Sequence, residues 1–107
     1  AAYLNAKYGA GTVNITIRDS YFNMRQVIEP NIHVVERAKK AIEDLGIQPI
    51  VVPIRGGTDG ARLSYVGLPC PNLGTGGENF HGRYEYACAE DMDLSVRALI
   101  NILTAGK

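Results

Sequence analysis

The sequence predicts an α/β fold, mixing helices with strands, and three observations carry that expectation. Residues 12–18 alternate, with Val13, Ile15 and Ile17 to one side and Asn14, Thr16 and Arg18 to the other, the period of a half-buried strand. Residues 31–45 then place Val35, Ala38, Ile42 and Leu45 at helical spacing, with Lys39, Lys40, Glu43 and Asp44 largely opposite. Residues 47–54 (I-Q-P-I-V-V-P-I) read as a second strand. Its two prolines, Pro49 and Pro53, donate no ladder hydrogen bond, which makes it an edge strand or a lightly paired one. Strand, helix, strand is a β-α-β unit, with a right-handed crossover if the strands run parallel.

Composition is that of a globular chain. Its 107 residues are one domain's worth, with 46% hydrophobic and 21% charged residues. A formal net charge of zero tilts against nucleic acid or an anionic membrane as main partner, since both favour a basic surface. No apolar run reaches the length of a membrane span, and no signal-peptide pattern opens at Ala1. The start on Ala1 rather than Met leads us to expect a piece of a longer protein. Cys70 and Cys88 are far apart and form no C-x-x-C, so reduced thiols in a cytosolic protein are expected over a disulfide.

Taken in order, residues 1–8 look like the last turns of a helix stopped by Gly9 and Gly11. Residues 19–25 (D-S-Y-F-N-M-R) continue the first strand or turn away from it. Pro30 and Asn31 set up the next helix, with Asn31 as its cap, and Gly46 supplies the left-handed closing residue. Thr58 or Asp59 caps a short helix through Val66, closed by Gly67. Residues 68–73 hold Cys70 between prolines and read as a short buried strand, and residues 74–86 read as a loop. A last helix spans 90–104, with Met92, Val96, Leu99, Ile100 and Leu103 on one face and Gly106 after it. Glu90, Asp91 and Asp93 suit the positive end of its dipole.

Chemistry concentrates in residues 53–82, where much of the glycine lies. In R-G-G-T-D-G-A at 55–61, backbone N–H groups could approach an anion, and Arg55 could grip a carboxylate or phosphate in bidentate fashion. The spacing is neither a P-loop nor a dinucleotide fingerprint, and on pattern alone a tight turn with a surface arginine is the favoured reading. His81, between Phe80 and Gly82, is placed to bind metal or move protons. A zinc site needs about three or four ligands, and only Glu78 lies near, so a hydrogen-bonded loop histidine is the plain reading. His33 falls on the outer side of its helix. Cys70 reads as buried and unreactive, and Cys88 has acids beside it. Tyr21, Phe22, Asn23 and Arg25 form a polar-aromatic cluster that either lines a pocket or ends a strand. Asp59 and Glu78 are a carboxylate pair only if the fold brings them together.

Several motifs in order are more specific than any one. P-I-R-G-G-T-D-G-A-R-L-S at 53–64, G-L-P-C-P-N-L at 67–73, T-G-G-E-N-F-H-G at 75–82 and D-S-Y-F-N-M-R at 19–25 closely resemble the tripeptide aminopeptidases of the M20 family of dinuclear-zinc metallopeptidases. The resemblance runs through nearly the whole chain and is weakest over the first dozen residues. It implies the C-terminal portion of such an enzyme. Residues 1–54 would be the C-terminal part of a ferredoxin-like lid and dimerisation domain. Residues 55–107 would be the C-terminal part of the α/β catalytic domain, with its last strand and helices. By the same resemblance His81 matches a zinc ligand, and Arg55 matches a hinge arginine that holds the substrate's carboxylate end.

The family's H-x-D motif, bridging aspartate, paired glutamates, further carboxylate ligand and lid histidine have no counterpart in these residues. The resemblance therefore implies no catalytic residue here, at most one ligand to two zinc ions, and an inactive segment when isolated. Implied partners are a short peptide, the rest of the parent chain and a homo-oligomeric copy, in the cytoplasm. Two other readings stand beside it. One is a non-catalytic binding or dimerisation module whose glycine-rich loop is only a turn. The other is a phosphate-binding domain, disfavoured by the missing lysine and hydroxyl of a P-loop. Separated from its parent, the chain is expected to self-associate or to be partly disordered, because apolar faces would lie bare.

Overall fold

Local signals decide where the helices begin and end in the computed structural model, which describes residues 1–105. Helix α1 (Ala2–Tyr8) closes on Gly9, whose N–H donates to the Asn5 carbonyl at 3.0 Å. The Asn5 side chain then catches the following chain at both main-chain groups of Val13. Its Nδ2 donates to the Val13 carbonyl at 3.0 Å, and its Oδ1 accepts the Val13 N–H at 2.8 Å.

The second helical stretch begins earlier than Asn31. Helix α2 (Arg25–Ile28) is followed by a 3₁₀ turn (Glu29–Asn31) and then by α3 (His33–Glu43). Asn23 Oδ1 accepts the Arg25 N–H at 2.9 Å, and Asn31, rather than capping α3, donates to the Val27 carbonyl at 2.9 Å. Pro30 explains the interruption, since it has no N–H to continue the ladder of α2. Gly46 closes α3 as expected, at φ 77°. Its N–H meets the Glu43 carbonyl at 2.8 Å and that of Ile47 meets Ile42 at 3.4 Å, the paired bonds of a Schellman closure. A Cβ at residue 46 would touch nothing within 4 Å, so any penalty there is backbone strain alone. In the full-length protein Gly46→Ala is expected to lower unfolding stability by about 1 kcal/mol. Gly74, with open space and no left-handed φ, is the control. Equal denaturation midpoints for Gly46→Ala and Gly74→Ala would contradict this.

Helix α4 (Asp59–Tyr65) is capped by Thr58, whose Oγ1 accepts the Ala61 N–H at 3.2 Å. It ends in a second Schellman closure, with Gly67 bonded to Ser64 at 3.3 Å and Leu68 to Leu63 at 3.0 Å. Residues 68–73 are not a strand. They lie across α4, tied by the Cys70 N–H to Ser64 Oγ at 3.0 Å and by Asn72 Nδ2 to Thr58 Oγ1 at 3.2 Å. Within the expected loop, β1 (Gly77–Glu78) and β2 (Tyr86–Ala87) pair antiparallel, with Gly77 opposite Ala87 and Glu78 opposite Tyr86.

Helix α5 (Ala89–Thr104) follows at once, with Glu90 and Asp91 in its first turn. The expected Gly106 stop lies outside the described residues. Helices α3 and α5 pack where Ala38, Ala41 and Ala98 are buried. Asn101 Nδ2 donates to the Ala41 carbonyl at 3.1 Å, and the Arg37 guanidinium donates to the Ile102 carbonyl and, at 2.9 Å, to that of Ala105. Arg37 thereby satisfies carbonyls that the end of α5 leaves unpaired.

Helix and sheet are both present, so the mixed class holds at that level. The β-α-β unit does not form among the described residues. Residues 12–18 and 47–54 belong to no sheet, and Ile17 and Ile50 are 85% and 82% exposed. Alternation encodes which face of a strand is buried, but the neighbour must come from elsewhere, and an unpaired strand has no stability of its own. The consequence is visible in size. The radius of gyration is 19.9 Å, against about 13 Å for a compact domain of this length. Buried apolar side chains are few and mostly small: Ile28, Ala38, Ala41, Ala61 and Ala98.

Candidate functional site

Arg55 and His81 sit on two separate exposed turns. Arg55 leads from residues 47–54, which belong to no helix or strand, towards α4, and the chain bends at Arg55 and Gly56, the latter at φ 84°. The arginine is exposed. The turn beneath it is not bare. The Tyr21 ring lies on Gly57 so closely that a Cβ there would stand 2.1 Å from ring carbons. The Arg62 guanidinium lies 5.7 Å from the centre of the same ring. One turn further along α4, Tyr65 packs on Phe22 with ring centres 5.5 Å apart, and its hydroxyl donates to the Asn23 carbonyl at 2.9 Å. Of the polar-aromatic cluster, Tyr21, Phe22 and Asn23 end no strand and instead pack on α4 and the turn before it, while Arg25 opens α2 and pairs with Glu29. Residues 21–23 clasp α4 from 42 residues upstream in the case of Asn23 and Tyr65. Long-range seating of this kind leaves no local signal; the only hint was three adjacent residues with aromatic or amide side chains.

His81 stands in the loop between β1 and β2. The Cys88 N–H donates to the Gly76 carbonyl at 2.8 Å, joining the residue before β1 to the residue that follows β2 and precedes α5. Within the loop Asn79 and His81 both take left-handed backbone conformations, at φ 55° and 64°. Non-glycine residues enter that region in only a few per cent of cases, asparagine and histidine more readily than most, and such conformations cluster at functional sites. The turn is tied by Gly82 N–H to the Asn79 carbonyl at 2.8 Å and by His81 N–H to Glu85 Oε2 at 3.2 Å. Glu85 thus holds the main chain of His81, leaving the imidazole exposed.

The donor set does not make a zinc site by itself. Among the described residues no three His, Cys, Asp or Glu side chains are grouped to hold a metal ion. His81 offers one imidazole, short of the three or so protein ligands that zinc takes. Both thiols are free and half-buried. That of Cys88 donates to Glu90 Oε2 at 3.3 Å. The Glu90 carboxyl is held below the usual carboxylate range, first by its own backbone N–H and then by that thiol. His33 is exposed on α3, as its position in the helix predicts. No helix among the described residues is long and apolar enough to cross a membrane.

No family model matches the chain. Curated proteins similar to it include several that share one name. Those from Alkaliphilus oremlandii, Clostridium perfringens and Shewanella pealeana are each named peptidase T. The first is 57% identical over 101 residues, covering 94% of this chain and 25% of that protein. The second is 59% identical over 103 residues, covering 96% and 25%, and the third is 54% identical over 98 residues, covering 92% and 24%. Over nearly all of its own length, this chain is homologous to peptidase T. It spans about a quarter of the length of these relatives.

Proposed function

We propose that this chain is the C-terminal portion of a dinuclear-zinc aminopeptidase that removes the N-terminal residue from short peptides such as tripeptides. Residues 1–54 belong to its lid and dimerisation domain and residues 55–107 to its catalytic domain, and the enzyme works in the cytoplasm. One observation carries the reading. The likeness to proteins named peptidase T spans nearly the whole chain, including both the R-G-G-T-D-G turn and the loop that exposes His81.

In this reading His81 gives an imidazole nitrogen to one zinc ion, and Arg55 binds the carboxylate end of the peptide through its planar fork of N–H donors. Zinc, when bound, supplies Lewis-acid polarisation and an activated water for hydrolysis. The other ligands and the general base belong to the rest of the parent chain, so the isolated segment is inactive. A binding or dimerisation role for residues 1–54 draws on the bare side chains of Ile15, Ile17, Ile50 and Val51. It describes the lid half and is compatible with catalysis by the whole.

Arg55→Ala in the full-length protein tests the anchor. KM for a tripeptide is expected to rise by about tenfold or more, with kcat changed far less, because a charge-assisted contact to a non-reacting group is lost. Arg55→Lys restores part of that loss, since it keeps the charge without the fork. An unchanged KM in Arg55→Ala would rule the anchor out.

A further inference from the structure

We infer that Tyr21 is a positioning residue for Arg55. The inference rests on the reading of Arg55 as the substrate's carboxylate anchor and adds the part that aims it. The Arg55 side chain hangs from a turn whose next two residues are glycines, the least restrained backbone available. On one side of this turn residues 47–54 belong to no sheet. On the other side the Tyr21 ring rests on Gly57, where an added Cβ would meet three ring carbons at 2.1, 2.1 and 2.4 Å.

The ring is itself held. Arg62 approaches its face at 5.7 Å from the centroid, and its neighbours Phe22 and Asn23 are fastened to Tyr65. Arg62 and Tyr65 are three residues apart on α4 and so lie on one face, which gives the 21–23 segment two fastening points one helical turn apart. Gly57, unlike Gly56, has no left-handed φ. An alanine there is acceptable to the backbone, and only the Tyr21 ring excludes it. Glycine at 57 is thus required by Tyr21, and Tyr21 restricts the direction in which the turn presents Arg55.

The pair predicts a specific genetic pattern in the full-length protein, read as KM and kcat for a tripeptide with melting temperature alongside. Gly57→Ala and Tyr21→Ala are each expected to raise KM by about tenfold while kcat stays within a fewfold, as misplacing a substrate-binding group does. The double variant should be no worse than the worse single one, because the added methyl then occupies space that the ring has left. Tyr21→Phe, which keeps the ring, should restore KM to near its starting value. In an Arg55→Ala background neither substitution should raise KM further.

Two results would overturn the positioning role while leaving the anchor intact: additive KM effects in the double variant, or undiminished effects once Arg55 is gone. A change confined to melting temperature, with KM untouched by Tyr21→Ala, would likewise reduce Tyr21 to a packing residue. Failure of the anchor itself reads differently, as an unchanged KM in Arg55→Ala alone.

Discussion

Replacing His81 by alanine in the full-length protein is expected to lower kcat for tripeptide hydrolysis by roughly a thousandfold, the scale of losing several kcal/mol of metal-derived charge stabilisation. Zinc content should fall with it. The loop provides a control for backbone effects. His81 sits at φ 64°, so alanine at that position keeps the strain and loses the ring, whereas glycine loses both. If the imidazole is the functional group, His81→Gly and His81→Ala should be equally inactive and equally poor in zinc. If the loop's shape were what mattered, the two would diverge. Retained activity with full zinc content in either variant would refute the ligand role.

The second large expectation concerns the chain by itself. With a radius of gyration of 19.9 Å and overall extents of 66 × 36 × 17 Å, the separate polypeptide should scatter X-rays as an elongated, loosely packed particle. Ile17, Ile50, Val51, Val66 and Leu103 are all at least 70% exposed, and so much bare apolar surface favours association. Scattering should therefore give a radius of gyration near or above 20 Å that grows with concentration, against about 13 Å for a compact domain. A concentration-independent value close to the compact one would show that these residues bury their own apolar faces. Hydrolysis of a tripeptide by the separate chain would overturn the assignment of the missing ligands and base to the rest of the parent.

What was legible in the sequence was what is decided within a few residues. Gly9, Gly46 and Gly67 end helices where expected, and Thr58 caps α4 with its own hydroxyl. Each of these is a contest between short-range hydrogen bonds and backbone strain, and composition settles it on the spot. Asn31 was misleading because the Pro–Asn pair looks the same at a helix start and in the middle of a broken one; the better signal was Asn23, whose side chain accepts the Arg25 N–H. The strands at 12–18 and 47–54 were legible as patterns and yet are unpaired, since pairing depends on a neighbour that these residues do not contain. For the site, Arg55 and His81 could be singled out by type and context. The seat of Tyr21 on Gly57 and the left-handed backbone of His81 could not, because both are products of packing and loop closure.

The side chain of Asn5 carries a consequence for assembly. Its amide occupies both main-chain groups of Val13, standing in for one residue of a neighbouring strand. Were residues 13–17 to pair as a strand, Val13, Ile15 and Ile17 would turn their main-chain groups to one edge. Asn5 already fills the Val13 position on that edge, so a ladder there would start at Ile15.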